Sequence, residues 1–432
     1  MLSTLSSRTY RHLFIAQVIA LIGTGLATVA LGLLAYNLAG DRAGAVLGTA
    51  LAIKMSAYIL VAPIAVAFAD RFPRRNMLVT LDLIRAVVAA SLPFVTEVWE
   101  VYVLIFILQS ASAAFTPTFQ ATIPDILTDE REYTRALSLS RLAYDLESVI
   151  SPVLAAALLT IMSFHNLFVG TVVGFLASAA LVASVTLPKM QENVVKRSIY
   201  EKTTRGMRIF LKTPRLRGLL ALNMAVAAAS AMVIVNTVVL VQANYGLSQR
   251  STAMALALFG LGSMAAALAL PRLLDRLSDR TPMLAGGAIL ALGLAMGFFL
   301  NDYPTLLALW LLLGIGYSLA QTPSGRLLRR SSSSEDRPAL FAAQFALSHA
   351  CWLVTYPLAG WVGATISTQA SFIVLTIISA LSLILSAVIW RPEHDESVQQ
   401  HSHTDPQTQH ETNHEHSFVI DDEHPSWPQM KK

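Results

Sequence analysis

Along the chain, long apolar runs alternate with short polar segments. Twelve of the runs approach or exceed the roughly 20 residues that an α-helix needs to cross a bilayer. They lie at 13–38, 45–69, 76–96, 101–124, 138–162 and 165–187, and then at 216–243, 252–271, 282–301, 304–325, 339–366 and 370–390. Runs of this length predict helices rather than a barrel, whose strands need only about 10 alternating residues. The pattern therefore predicts an all-α membrane protein with twelve transmembrane helices.

The polar punctuation repeats. Ala69-Asp70-Arg71-Phe72-Pro73-Arg74-Arg75 separates the second and third runs, and Asp275-Arg276-Leu277-Ser278-Asp279-Arg280 separates the eighth and ninth. The two Asp-Arg pairs stand 205 residues apart, and so do Pro152 and Pro357. Thr116-Pro117 and Thr322-Pro323 are offset by 206. One coincidence would mean little, but three at nearly one offset predict two pseudo-symmetric six-helix halves, an internal repeat common among transporters. The divisions expected are 1–187 for the first half, 188–215 for a middle loop, 216–390 for the second half and 391–432 for a tail. In the middle loop, Tyr200 to Leu211 has apolar residues at helical spacing with basic residues between, as for a helix lying on a membrane surface. The tail turns abruptly polar, acidic and rich in His, and is expected to be disordered.

Composition agrees with a lipid solvent. Only 13% of residues are charged and the mean hydropathy is +0.56, whereas soluble domains carry roughly 25% charged residues. The first run is too long for a signal-peptide core, so it reads as the first span. Cys351 stands alone, which excludes an intrachain disulfide and CxxC metal sites. The net charge of +4 is spread over many short loops and does not suggest nucleic acid. With the N-terminus in the cytoplasm, the outer loops hold only Arg42 and Arg250, while Arg8, Arg11, Arg71, Arg74, Arg75 and the basic middle loop lie inside. That asymmetry predicts both termini in the cytoplasm. The chain has no Gly-x-x-x-x-Gly-Lys-Ser loop, HExxH or GxSxG, so neither ATP drive nor an enzyme is expected.

Two six-helix halves, a basic middle loop and Asp70-Arg71-x-x-Arg74-Arg75 between the second and third spans resemble the major facilitator superfamily over about residues 8–392. In that family the loop motif usually has Gly where Val66 and Pro73 stand here. The Pro variant, with Asp82-Leu83-Ile84-Arg85 after it, resembles the efflux branch. Ser151-Pro152-x-x-Ala155-Ala156 is similar to the antiporter signature of span five, with small residues replacing its glycines. The His-rich tail, the stretch Ser140 to Ser148 and Ser348-His349-Ala350-Cys351-Trp352 resemble bacterial nickel-resistance permeases of this superfamily. The resemblance implies a monomeric secondary transporter in the bacterial inner membrane, without a cofactor. It also implies that Asp70, Arg71, Arg74 and Arg75, with Asp275 and Arg276 in the second half, act as a conformational latch. The alternative for this loop is a topogenic cluster with no switching role.

Charges inside the spans are the candidate chemistry. Lys54, Asp82, Arg85, Arg141, Asp145 and Glu147 all lie in apolar surroundings, where an intramembrane charge is expected to be paired or to face a cavity. Asp82 and Arg85, three apart, and Arg141 and Asp145, four apart, read as structural pairs. Glu147 lies about 200° around the helix from Asp145, so it needs another partner. Lys54 is the candidate, with both facing one cavity and metal or proton displacing the lysine. His349 and Cys351 fall at the repeat-related depth of Asp145 and Glu147. Imidazole with carboxylate suits Ni²⁺, Co²⁺ or Zn²⁺, and His349 could instead carry a proton. The alternatives are a hydrogen-bonded structural imidazole and a cysteine that simply packs.

In the tail, His394, His401, His403, His410, His414, His416 and His424 are metal-binding candidates, for buffering or sensing rather than transport. The function expected is export of a divalent metal ion, nickel first, by proton antiport. The alternatives are an exporter of small organic compounds or drugs, and a membrane metal sensor.

Overall fold

Twelve long helices of 17 to 32 residues carry the chain back and forth. In the first half they are α1 Arg8–Ala39, α2 Ala43–Ala69, α3 Arg74–Ser91, α4 Val98–Ile126, α5 Glu130–Leu158 and α6 Leu167–Ala183. A shorter α7, Ile199–Lys212, leads into α8 Pro214–Val238, α9 Gln249–Leu274, α10 Arg280–Gly297 and α11 Tyr303–Gln321. After the short α12, Ser324–Arg330, come α13 Arg337–Thr365 and α14 Thr368–Ile389. The structure, a computed structural model, describes residues 5–69, 73–127, 129–187, 199–274, 276–332, 336–395, 398–404, 411–417, 419–420 and 427. Each expected span has its helix, and the all-helical membrane fold is as the apolar runs predict.

Local chemistry sets the helix ends. Ser7, Asp129, Asp302 and Ser367 each accept a hydrogen bond from a backbone N–H of the first turn of α1, α5, α11 and α14, which satisfies a donor the helix itself leaves open. Glu97 and Glu100 form a reciprocal capping box on α4. Gly40, at φ 53°, turns the chain out of α1, a conformation that costs glycine little. Pro152 in α5 and Pro357 in α13 sit inside their helices at repeat-related positions, each removing a helix hydrogen bond.

Among the described residues ten helical stretches are long and apolar enough to cross a membrane, and one of these runs through α1 into α2. The helix α5 is not among them. Its sequence carries Glu130, Arg131, Glu132, Arg135, Arg141, Asp145 and Glu147, which lowers its hydropathy although it has the length of a span.

The halves meet chiefly along α2 with α13 and α5 with α9. At the end of the bundle that holds the α1–α2 turn, Gly44 and Gly48 let α2 approach Gly360 of α13. A Cβ on Gly48 would lie against the carbonyl oxygen of Tyr356. Small residues at such crossings give the close packing that drives helix association in lipid. Asn236 of α8 donates to the carbonyl of Ala359 at 3.0 Å across the same region.

At the opposite end, α7 buries Ile209 and Phe210, and Arg205 forms a two-pronged pair with Asp336 just before α13, its Nη2 2.9 Å from Oδ2. Strands β1 Val398–Thr404 and β2 Glu411–Ser417 pair antiparallel, and Ile420 is only 3% exposed. Ile420 and Trp427 of the tail pack against the hydrophobic core.

Candidate functional site

The ionisable groups of the interior converge where α1, α2, α5 and α13 meet. Lys54 and Tyr58 lie one turn apart on α2, Tyr144 and Glu147 nearly one turn apart on α5, and Phe345 and His349 one turn apart on α13. On α1, Gly25 makes room for the carboxylate. A Cβ there would collide with the Ser151 side chain and come within 2.5 Å of Glu147 Oε1. Lys54 is the cation that attracts Glu147 across the site, and it also acts electrostatically on His349.

His349 is held on three sides. Tyr58 stacks on its ring at 5.3 Å, with 16° between the planes, and Phe345 packs at 3.9 Å. Its Nδ1 lies 2.7 Å from the Phe345 carbonyl oxygen. A carbonyl can only accept, so Nδ1 carries the proton and a neutral ring leaves Nε2 as acceptor. Tyr144 comes within hydrogen-bonding reach of Gln17 and Thr116, and Ser140 Oγ donates to Gln17 Oε1 at 3.0 Å. The result is a polar floor under an aromatic wall.

Beside this site, α1, α2 and α4 enclose a cavity of about 20 Å³ lined by Thr24, Thr28, Lys54, Gln109 and Ser112 among others. That is room for about one water molecule, and its walls join those polar groups to Leu31, Leu51, Ile105, Leu108 and other apolar residues. Further along α3, Asp82 and Arg85 form the expected pair. Asp82 also accepts from Ser178 Oγ at 2.7 Å. The Arg85 guanidinium lies 4.1 Å from the Phe115 ring centroid and 4.5 Å from that of Phe175. A buried pair so fully enclosed holds α3 to α4 and α6.

Other expected residues fall elsewhere. Cys351 is buried, 4% exposed. The side chains of Arg141 and Asp145 lie outside the described residues, as do Asp70, Arg71 and Asp275. Arg75 donates to the Ala183 carbonyl at the end of α6, and Arg74 begins α3. In the second half Asp275 lies outside the described residues and a neighbouring carboxylate is the one seen paired. Arg276 is exposed, while Asp279, fully buried, receives Arg330 at 2.6 Å and Arg326 at 3.2 Å. Asp279 is covered by α12, whose arginines no repeat in the sequence announces.

Among the described residues no three His, Cys, Asp or Glu side chains gather as a metal ion would require. His349, Cys351 and Glu147 therefore do not form such a group. In the tail, His394 packs edge-on against Trp427 at 6.3 Å. His401, His403, His414 and His416 are on β1 and β2 with side chains outside the described set, and His410 and His424 lie outside the described residues. Tyr58, Tyr144 and Phe345 were missed. Their signal was the spacing of four from Lys54 to Tyr58 and from Phe345 to His349, which puts each pair on one helix face.

A sequence model of the Major Facilitator Superfamily matches residues 13–241 and 219–414. The chain belongs to the major facilitator superfamily. Among its relatives is an MFS-type transporter, YfiS, of Bacillus subtilis (strain 168), 27% identical over 124 residues, covering 29% of this chain and 30% of the relative. Macrolide efflux protein A of Streptococcus pyogenes is 27% identical over 158 residues, 34% of this chain and 39% of the relative. The matched stretches thus span between about a third and two fifths of these relatives. Solved structures share the fold over more of the length. The nucleoside transporter NupG, in a mutant form, superposes with a TM-score of 0.69 at 12% identity, over 89% of this chain and all of that one. A bacterial homologue of the human lysosomal transporter Spinster, inward-facing and occupied, also gives 0.69 at 12% identity, over 89% and 98%. As a member of this superfamily the chain is a multi-pass membrane protein, and the site between α1, α2, α5 and α13 lies where its two halves face each other.

Proposed function

We propose that this superfamily member exports a small organic compound of mainly apolar character from a bacterial cytoplasm, driven by inward proton flow through Glu147. The observation that carries the reading is the site itself: one carboxylate and one lysine set among Tyr58, Tyr144, Phe345 and His349. Stacking rings provide area for an apolar or aromatic guest, and the Glu147 carboxylate opposite an ammonium provides an exchangeable charge. The similarity to macrolide efflux protein A supports organic cargo over the metal cargo expected from the sequence. Orientation with both termini in the cytoplasm rests on the Lys and Arg distribution.

Export of a divalent cation is the second reading, favoured by the histidines of the tail. The test compares cells with and without the gene over two panels: macrolides and lipophilic dyes, and Ni²⁺, Co²⁺ and Zn²⁺. Gene-dependent loss of dye or macrolide, dissipated by a protonophore, supports the proposal. Gene-dependent loss of metal with unchanged organic accumulation overturns it.

A further inference from the structure

Within the apolar runs of the first half the formal charges cancel. Lys54, Arg85 and Arg141 stand against Asp82, Asp145 and Glu147. In the second half the only Asp, Glu, Lys or Arg inside a run is Arg217, at the start of the first. With His349 neutral, the interior therefore has no net charge while Glu147 is ionised, and one positive charge once Glu147 takes a proton.

The central pair is also left open. Lys54 and Glu147 attract each other, yet the ion pairs among the described residues are Asp82 with Arg85, Arg205 with Asp336, and Asp279 with Arg326 and Arg330. Lys54, Tyr58, Glu147 and His349 are half-buried and Phe345 is 39% exposed, so the two charges are not sealed in by their neighbours. The ammonium and the Tyr58 hydroxyl are donors here, and the carboxylate and His349 Nε2 are acceptors.

We propose that the cargo meets this pair as an electrically neutral molecule, through a hydroxyl or amide group that donates to Glu147 and accepts from Lys54. The inference rests on the organic-cargo reading above and narrows it to a substrate class. A cationic cargo would add a second positive charge beside Lys54, in surroundings where an uncompensated charge is costly. An anionic cargo would be held best by Lys54 when Glu147 is protonated, and so would travel with the proton rather than against it. A neutral group that both donates and accepts keeps the balance. It also gains hydrogen bonds to two ionised partners, which are roughly twice as strong as bonds between neutral groups. A proton on Glu147 removes the stronger acceptor, so proton and cargo exclude each other although the cargo carries no charge. A basic compound binds as its free base.

The test is a fluorescence titration of the full-length protein in detergent at about pH 8, well above the ordinary carboxyl range. Three dansyl amides of one chain length end in a hydroxyl, a methoxyl and a trimethylammonium group. The hydroxyl probe is expected to bind at least fivefold more tightly than the methyl ether and at least tenfold more tightly than the cation. Lys54→Met leaves the carboxylate unbalanced, so the cation should gain at least tenfold relative to the hydroxyl probe. Glu147→Gln should cut the preference for hydroxyl over ether below twofold. The ether, held by the rings, should change by less than threefold in that variant, which reports that it is folded. In the unaltered protein, a cation bound as tightly as the hydroxyl probe, or an ether bound as tightly, overturns the neutral class. So does the absence of a relative gain for the cation in Lys54→Met. Each of these leaves the organic-cargo reading standing, whereas binding of none of the three probes overturns both.

Discussion

Trp361 of α13 donates its indole N–H to Thr49 Oγ1 of α2 at 3.0 Å, joining residues 312 positions apart. The bond closes the end of the bundle where Gly44, Gly48 and Gly360 bring the same two helices into backbone contact. Any opening at this end must break it. Gly48→Leu places a branched side chain against the Tyr356 carbonyl. Overpacking of this kind costs about 1–3 kcal/mol, and about 1.4 kcal/mol is a tenfold shift. The variant is therefore expected to favour the state open at this end by about tenfold. Labelling of a Leu353→Cys reporter by an impermeant maleimide, in a Cys351→Ser background, should rise accordingly. Unchanged labelling would mean that the crossing stays apart or that closure lies elsewhere.

Asp82 and Arg85 should behave as a unit. Removing one partner of a buried pair leaves an uncompensated charge and costs about 3–5 kcal/mol, whereas replacing both can be neutral. Asp82→Leu and Arg85→Met are each expected to lower the melting temperature strongly, and the double variant to recover most of the loss. A double variant as unstable as the worse single one would show that Ser178 and the Phe115 and Phe175 rings, rather than the pair, hold α3.

The apolar runs made the spans legible because lipid demands long, uninterrupted helices. The repeat offset likewise located Pro152 and Pro357 on equivalent helices. Intramembrane charges named Lys54, Glu147 and His349, since each stands out against apolar neighbours. What the sequence hid were partners brought together by tertiary packing. Nothing in the chain marks the partners of Asp279, and only the fold puts Arg326 and Arg330 beside it. Arg205 and Asp336, 131 residues apart, carry no pattern that links them.

Asp279→Asn should destabilise the second half. The carboxylate is fully buried while Arg330 is 26% exposed and Arg326 52% exposed, so water compensates the cations in part. A cost of about 3 kcal/mol is expected, at the low end for a buried pair. Thermal unfolding of the purified protein measures it, and Arg330→Lys, which keeps the charge, should cost less.

Acid should loosen the start of α11. Asp302 accepts from the Thr305 backbone N–H at 2.8 Å, and hydrogen bonding to Thr305 holds its carboxyl below the ordinary value. A carboxyl depressed in the folded state contributes stability above its unfolded value, and loses it as pH falls through the folded one. Amide exchange of the first turn of α11 is therefore expected to quicken, beyond the intrinsic pH effect, only below about pH 4. Asp302→Ala should show the faster exchange at every pH.

The decisive prediction concerns Glu147 and Lys54. Glu147 is the carboxylate against which Gly25 leaves space, and Lys54 is the cation that attracts it. In a site walled by Tyr58, Phe345 and His349 a lone charge is costly, and each of the two opposite charges offsets part of that cost for the other. A proton that neutralises Glu147 frees the lysine to turn toward Thr24, Thr28, Gln109 and Ser112, where polar groups receive it. Glu147→Gln removes the exchangeable proton and leaves the ammonium without its partner. Active transport should fall at least a hundredfold, while downhill exchange of cargo, which needs no proton, should persist. Lys54→Met removes the competitor instead. Loss of a nearby cation favours the protonated carboxyl, so transport should continue with its pH profile moved toward alkaline values. Proteoliposomes with an imposed pH gradient measure both. Full gradient-driven transport by Glu147→Gln, or an unmoved profile in Lys54→Met, would show that the pair supports structure and that the coupling proton travels by another route.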